Sequence, residues 1–533
     1  MYRLMTAVAA SIAIGLTLLP LFGLIAGALE VDQDPFGVTT GWVEAIAQTS
    51  VPQLFGRTMA LALVVSTGSI LIGGWLAWVE QRGRLTGARW FGTLSLLPLA
   101  LPSYLLAATL QTTLGPAGWI GRSIGVQQPF DGFWAAAAVL ILVTSPYVHL
   151  LTGASLARAP AEEEDAARIL GASGFRVFRR VTLPRLRPAL AFSGLLTALY
   201  VISDFGAVAT LRCPVLTWRL YQAVDLKRFG DAIALGLPLL AATVPLLLAT
   251  RAIHGRARPG RIGVANPRPP TLRPISTTSK VATFTIYFVV IGLGVVAPVV
   301  SLVGWIIGGV GGAASFVDTL LPIWDTLRLA FLGGTVTLIL AGAPAWVAAR
   351  GGTKRAFWVE QAVYATSAFP GILLAFGLLL LALAGARIFA TENAREIYGT
   401  LTASGILLMA GYATRFLAEA FASMKTAFLQ LDTGQSDSAR VLGASFWKRV
   451  RYVEFPAVRP GVAAAFVICA LAITKELPAT LLLSGPMGLR PLSVRIFDRY
   501  EDAFLADAGL SGALLTVLAL TIVLLTLKWR RFT

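Results

Sequence analysis

Five stretches of this chain, Met5–Gly27, Leu61–Trp78, Phe133–Leu151, Leu235–Thr250 and Gly509–Leu527, carry no acidic or basic residue other than one histidine. Each approaches the roughly 20 apolar residues that a helix needs to cross about 30 Å of hydrocarbon. Their Leu, Ala, Val and Ile show no period-two alternation, so helices are favoured over the strands of a transmembrane barrel. Composition agrees: 56% of the 533 residues are hydrophobic and 13% are charged, where a water-facing surface calls for about a quarter charged. The predicted fold class is an all-α polytopic membrane protein.

The formal charge of +17 is read as loop charge that sets topology, which excludes a nucleic-acid partner and makes the lipid bilayer the surroundings. Twelve spans are expected near residues 4–27, 57–79, 91–112, 133–153, 188–211, 231–250, 281–308, 327–349, 358–386, 401–422, 460–484 and 508–528. With both termini in the cytoplasm of a bacterium, the inner loops hold roughly three times as many Lys and Arg as the outer ones. The first outer loop, Leu29–Phe55, contains Glu30, Asp32, Asp34 and Glu44 and no basic residue. Met1-Tyr2-Arg3 before an apolar run has the look of a signal peptide, but that run exceeds an ordinary signal core and is read as the first span. Cys213 and Cys469 form no metal or redox motif, and His149 and His254 are the only histidines. No metal site and no cofactor are expected.

The chain repeats itself. Asp165-Ala-Ala-Arg-Ile-Leu-Gly-Ala-Ser173 matches Asp437-Ser-Ala-Arg-Val-Leu-Gly-Ala-Ser445 at an offset of 272, in register through Pro188 and Pro460. Upstream, Ala77-Trp78 matches Ala345-Trp346, and Pro102 matches Pro370, at an offset of 268. Six spans per half is an even number, so the two halves form a parallel repeat. The expected division is a first half over 1–255, a Pro- and Arg-rich cytoplasmic linker over 256–280 and a second half over 281–533.

The duplicated segment falls in the cytoplasmic loop after the fourth span of each half. Its first copy begins Pro160-Ala-Glu-Glu-Glu-Asp165, acidic residues that suit the positive end of a helix dipole. Gly171 and Gly443 permit a sharp break, after which a short helix carries Phe175 or Trp447 among basic residues, and Thr182-Leu-Pro184 or its counterpart at Pro456 redirects the chain toward the membrane. A lone helix of this kind ordinarily lies on the lipid surface. Two copies in register are better explained as two equivalent sockets for a symmetric partner.

This pattern of acidic-Ala/Ser-Ala, three residues, Gly, nine residues and then an apolar residue two before Pro resembles the coupling-loop signature of ATP-binding-cassette (ABC) importer permeases of the binding-protein-dependent transport family. Asp165 and Asp437 stand where that family usually has Glu, and Ser438 where it has Ala. The resemblance implies that Asp165, Ala167, Gly171, Phe175 and Pro184, and equally Asp437, Ala439, Gly443, Trp447 and Pro456, form two loops that dock on two copies of a cytoplasmic ABC ATPase subunit. It also implies a periplasmic substrate-binding protein. Leu97-Pro-Leu-Ala-Leu-Pro-Ser103, Ser203-Asp-Phe-Gly206 and Lys475-Glu-Leu-Pro-Ala-Thr480 resemble the fused permeases of ferric-iron importers, and ferric iron is the cargo that resemblance implies. Related permeases carry thiamine, phosphonate, polyamines or oxyanions.

No Gly-Lys dipeptide occurs in the sequence, so the phosphate-cradling loop of an ATPase is missing. The chain is therefore expected not to be an enzyme and to draw on separate subunits for ATP hydrolysis. Asp204 and, at the same 272 offset, Glu476 beside Lys475 are ionisable residues at the outer end of a span. They mark a cation pathway or, on the structural alternative, a helix cap or an Arg partner at Asp204 and a neutralised pair at Lys475–Glu476. Arg415 is expected near the cytoplasmic end of the tenth span, its head reaching the interface. Two other classes compete: a stand-alone secondary transporter of twelve spans, which would not need matching Gly-broken loops, and a membrane enzyme, for which no cluster of catalytic spacing is present.

Overall fold

The computed structural model describes residues 2–30, 50–158, 162–256, 272–309, 315–350, 354–389, 394–431 and 433–529. Pro160, most of the first outer loop and most of the linker lie outside the described residues. Ten helices are long and apolar enough to cross a membrane, or up to twelve if two sharply bent pairs each count as one span.

The first half opens with α1 (Tyr2–Glu30) and α2 (Val51–Arg82), followed by the short α3 (Ala88–Leu94) and α4 (Ser103–Leu114). Residues 91–112, expected as one straight span, are instead two arms meeting at 102°. Pro102 supplies the reason: it lacks the amide for an i−4 bond and holds Leu101 extended, with ψ 134°. Then come α5 (Gly132–Arg158), α6 (Glu162–Ile169), α7 (Gly174–Val177), α8 (Leu183–Ser203), α9 (Gly206–Thr210), α10 (Leu216–Asp225) and α11 (Phe229–Arg256). The span expected over 188–211 stops at Ser203, because Asp204 turns extended.

The second half repeats this order. It runs through α12 (Thr277–Ile291), α13 (Ala297–Gly308), α14 (Phe316–Arg350), α15 (Lys354–Ala365), α16 (Gly371–Phe389), α17 (Ala394–Ala403) and α18 (Ile406–Leu429). The repeated loop gives α19 (Thr433–Val441) and α20 (Phe446–Arg449), and α21 (Phe455–Lys475), α22 (Pro478–Ser484), α23 (Leu492–Glu501) and α24 (Leu505–Trp529) complete it. Here too the spans expected over 358–386 and 460–484 are interrupted, at Phe369–Pro370 and at Glu476.

The chain folds into two compact units, one of residues 1–49, 220–236 and 309–533, the other of residues 50–219 and 237–308. In the first, α1 packs on α16, which follows it by more than three hundred residues. The contact is close enough that any side chain at Gly23 would run into the carbonyl of Gly377, the small-residue packing that membrane helices use where lipid offers no hydrophobic contrast. In the second, α13 packs on α4, with Ser301 and Thr113 joined hydroxyl to hydroxyl. Trp75 Nε1 of α2 donates to Thr283 Oγ1 of α12 at 3.0 Å. Each sequential half thus lends its opening helix to the unit built from the other half. A two-residue parallel pairing, β1 (Gly83–Arg84) with β2 (Arg273–Pro274), ties the end of α2 to the stretch before α12.

Candidate functional site

The duplicated loops fold alike. In the first, Gly171 has φ +81°, its amide donates to Arg168 O at 2.8 Å, and the Ala172 amide reaches back to Ala167 O at 3.0 Å. In the second, Gly443 has φ +77°, with Gly443 N to Arg440 O and Ala444 N to Ala439 O, both at 3.0 Å. This double closure is a Schellman motif, which satisfies the last carbonyls of α6 and α19 and needs the left-handed conformation that glycine alone adopts without strain. Ala167 and Ala439 provide the more distant acceptor, so two further positions of the motif enter the same turn.

Beyond the turn the expected short helix exists, but Pro184 and Pro456 do not redirect the chain. Helix α7 runs through a π-helical turn, Phe178–Thr182, straight into α8, so that residues 174–203 are one continuous helix. The Leu183 amide donates to Phe178 O, five residues back, and Phe455 to Val450 O in the second copy. The wider turn accommodates a proline, which has no amide to give and whose ring would strike a carbonyl four residues earlier.

What the loops expose is also duplicated. Ile169, Leu170 and Phe175 match Val441, Leu442 and Trp447 at the 272 offset, and all six are 70% to 88% exposed. Basic Arg176 and Lys448 stand beside them. An apolar triplet of this exposure next to charge is the composition of an interaction patch, for a protein or for the lipid surface. Asp165, one helical turn before Ile169, is paired with Arg273 at 2.5 Å and Arg168 at 3.8 Å. Partial burial, and then the adjacent Arg273, lowers the pKa of Arg168 from its ordinary value. Asp437 is exposed.

Each copy also holds an ion pair on a buried glutamate that register does not reveal. Arg82, at the end of α2, donates from Nε to Glu164 Oε1 at 3.1 Å and from its terminal nitrogen to Leu156 O at 3.1 Å. Thr182 Oγ1 donates to the same Glu164 oxygen at 3.1 Å. In the second copy Arg350, equivalent to Arg82 at the 268 offset, pairs with Glu454 Oε1 at 3.1 Å, and Trp346 Nε1 donates to Glu454 Oε2 at 3.2 Å. Glu454 is the counterpart of Thr182, and Ser436 is the counterpart of Glu164.

Asp204 and Glu476 are both buried, and each caps the helix after the break. Asp204 Oδ1 accepts the Ala207 amide at 2.9 Å, and Oδ2 accepts Ser103 Oγ at 2.5 Å. Glu476 accepts the amides of Ala479 at 3.0 Å and Thr480 at 2.9 Å, and the Thr480 hydroxyl at 2.7 Å, while Tyr412 OH joins Thr480 Oγ1 at 2.8 Å. Lys475 ends α21, one residue before this cap. Arg415 lies in the middle stretch of α18, not near an end, and its guanidinium donates to Phe369 O at the break before Pro370 at 3.4 Å. That carbonyl has lost its helical partner, which is why a mid-span cation finds a place there.

The family profile described as "Binding-protein-dependent transport system inner membrane component" matches residues 69–262 and again 339–529. The chain belongs to this family. Each match contains one Gly-broken loop. The profile thus confirms an ABC-importer permease with two repeats, an inner-membrane component of a transport system, and sets aside the stand-alone transporter and the membrane enzyme. Among relatives, the Fe(3+)-transport system permease protein FbpB 2 of Haemophilus influenzae is 28% identical over 502 residues, 93% of each chain. The sulfate transport system permease protein CysW of Escherichia coli K12 is 31% identical over 207 residues, 36% of this permease and 69% of the relative. CysW of Synechocystis is 29% identical over 239 residues, 44% of this permease and 83% of its own length. These relatives are permease components of transporters.

Proposed function

We propose that this permease moves ferric iron inward from a periplasmic binding protein, driven by two copies of a cytoplasmic ABC ATPase that dock on the exposed side chains of residues 162–182 and 433–454. The buried Glu164 and Thr182 are not among them. The observation that carries the docking assignment is the matched pair of exposed triplets, Ile169-Leu170-Phe175 and Val441-Leu442-Trp447, each set on a turn closed by a left-handed glycine. A symmetric pair of ATPase subunits needs two like sockets, and the loops lie on the cytoplasmic side if both termini do. Asp204 and Glu476 are assigned the role of caps that hold the interrupted spans in shape, with Lys475 beside the second; none of the three is assigned a contact with cargo.

Iron is favoured because a relative that aligns with 93% of the chain is named for Fe(3+) transport, whereas the two sulfate relatives above cover less than half of it. Uptake of radiolabelled ferric iron and of labelled sulfate, in a strain lacking other importers for both, tests the cargo. Iron uptake that depends on this chain is expected; sulfate uptake in its place overturns the assignment. Docking is tested by capture: the tagged permease should retain an ATPase subunit, and G171P with G443P should lose it.

A further inference from the structure

The two ion pairs, Arg82–Glu164 buried on both sides and Arg350–Glu454 buried on the glutamate side, share an arginine position but not a carboxylate position. Arg82 and Arg350 both end the second membrane span of their repeat, and both are held at 3.1 Å from a glutamate oxygen. In the first half the glutamate sits on α6, before Gly171; in the second it sits eighteen positions later in the repeat, after Gly443. The residue at each vacated place is hydroxylic, Thr182 in one copy and Ser436 in the other. Leu156, whose carbonyl accepts from Arg82, belongs to a small apolar cluster with Ala77 and Leu186, and Trp346, which donates to Glu454, packs against a second one of Ala9, Val347, Ala356 and Val359. A charge as buried as Arg82, Glu164 or Glu454 is strongly unfavourable without its partner, and an apolar replacement of both partners is tolerated much better than loss of one.

We propose that Arg82 and Arg350 are positioning residues for energy transfer: each holds its docking segment to the end of a membrane helix through a buried carboxylate, Glu164 or Glu454, and the contact matters rather than the carboxylate's place in the chain. The consequence differs between halves. Glu164 ties the helix before the glycine and, through Thr182, also the helix after it, so both arms of the first loop are fixed to α2. Glu454 ties the second arm to α14. This inference rests on the docking assignment above.

The test uses the full-length chain with the ATPase that it captures. E164S should leave the amount of captured ATPase unchanged. It should lower the kcat of ATP hydrolysis at least about fivefold, with the KM for ATP within about twofold. Adding T182E moves the carboxylate to its second-half position and should restore kcat to within about twofold of the parent. The double variant R82M/E164M removes both charges and should keep the complex assembled and thermally stable while kcat stays low. If E164S retains the parent kcat, or if R82M/E164M restores it as well as T182E does, the pair only fills space and the inference is overturned. Amide hydrogen exchange over residues 162–172 of the chain alone separates this from a failure of docking. E164S should raise exchange there at least about tenfold whether or not an ATPase is ever captured, and unchanged exchange overturns the inference.

Discussion

Glu164 and Glu454 do the same work from different places, and so do Ser103 and Thr480. In the first half the hydroxyl that reaches the capping carboxylate of Asp204 comes from Ser103, across the break at Pro102. In the second half the equivalent position is Gly371, where any added carbon would come within 3.1 Å of Glu476 Oε1, and the hydroxyl comes from Thr480 on the capped helix itself. Twice, the two halves keep an interaction while changing which residue provides it. What the fold holds constant is the satisfaction of a buried charge, because an unpaired buried ion costs several kcal/mol and a relocated partner costs little. The turn at Gly171 and Gly443 behaves otherwise: residue, conformation and hydrogen bonds are all held in place, since no side-chain exchange replaces a left-handed backbone.

That contrast can be broken by substitution. The largest effect is expected from proline at the glycines. Proline fixes φ near −65°, which neither Gly171 nor Gly443 can adopt without unwinding the turn. G171P with G443P should reduce transport at least about a hundredfold and abolish ATPase capture, whereas the chain should still insert in the membrane. Retained capture in a pull-down would place the docking surface elsewhere.

Loss of a cap should come next. D204A and E476A each remove two or more hydrogen bonds to buried donors, so a melting experiment in detergent should show a loss of about 1–3 kcal/mol. D204N, which keeps one acceptor, should cost less. A cargo-contacting role predicts the reverse order of evidence: unchanged melting with an altered KM for uptake.

S103A sharpens the comparison further. It removes one donor to Asp204 and should cost about 1 kcal/mol, while G371S in the second half should clash with Glu476 and destabilise by more than S103A does. Equal melting shifts would show that the two caps are interchangeable after all.

The smallest effect belongs to Asp165. Its pair with Arg273 is two-fifths exposed on both sides, and D165N should change stability by no more than about 1 kcal/mol, and less at high salt. A thermal scan at two ionic strengths measures this. A large loss of ATPase activity without a melting shift would instead assign Asp165 a contact with the partner.

Much of this architecture was legible before the fold was seen. Apolar runs of membrane length show themselves without reference to partners, and so does a duplicated string with its glycine. The breaks at Asp204 and Glu476 were harder: Phe205–Leu211 and Leu477–Ser484 are as apolar as the helices before them, so hydropathy continued the spans across a turn that only a cap creates. The π-helical turns before Pro184 and Pro456 left no hydropathic trace at all. The ion pairs were missed because register alignment compares like positions, and here Glu164 faces Ser436 while Thr182 faces Glu454. One signal was available: Arg82 and Arg350 match at the same 268 offset as the tryptophans four residues earlier. A repeated lone cation at the end of an apolar helix calls for a carboxylate in each copy, wherever the chain keeps it.

The exchange of opening helices also has a meaning in time. Helix α1 leaves the ribosome some 340 residues before α16, the surface it rests on; at about 5–20 residues per second, that is a wait of roughly 20–70 s in the bilayer. During it Gly23 and Gly27 face lipid with no partner from their own unit, exposed to whatever else the membrane carries. The last half of the chain to be made therefore completes the first piece that was made, and a nascent chain cut short in the linker leaves α1 stranded.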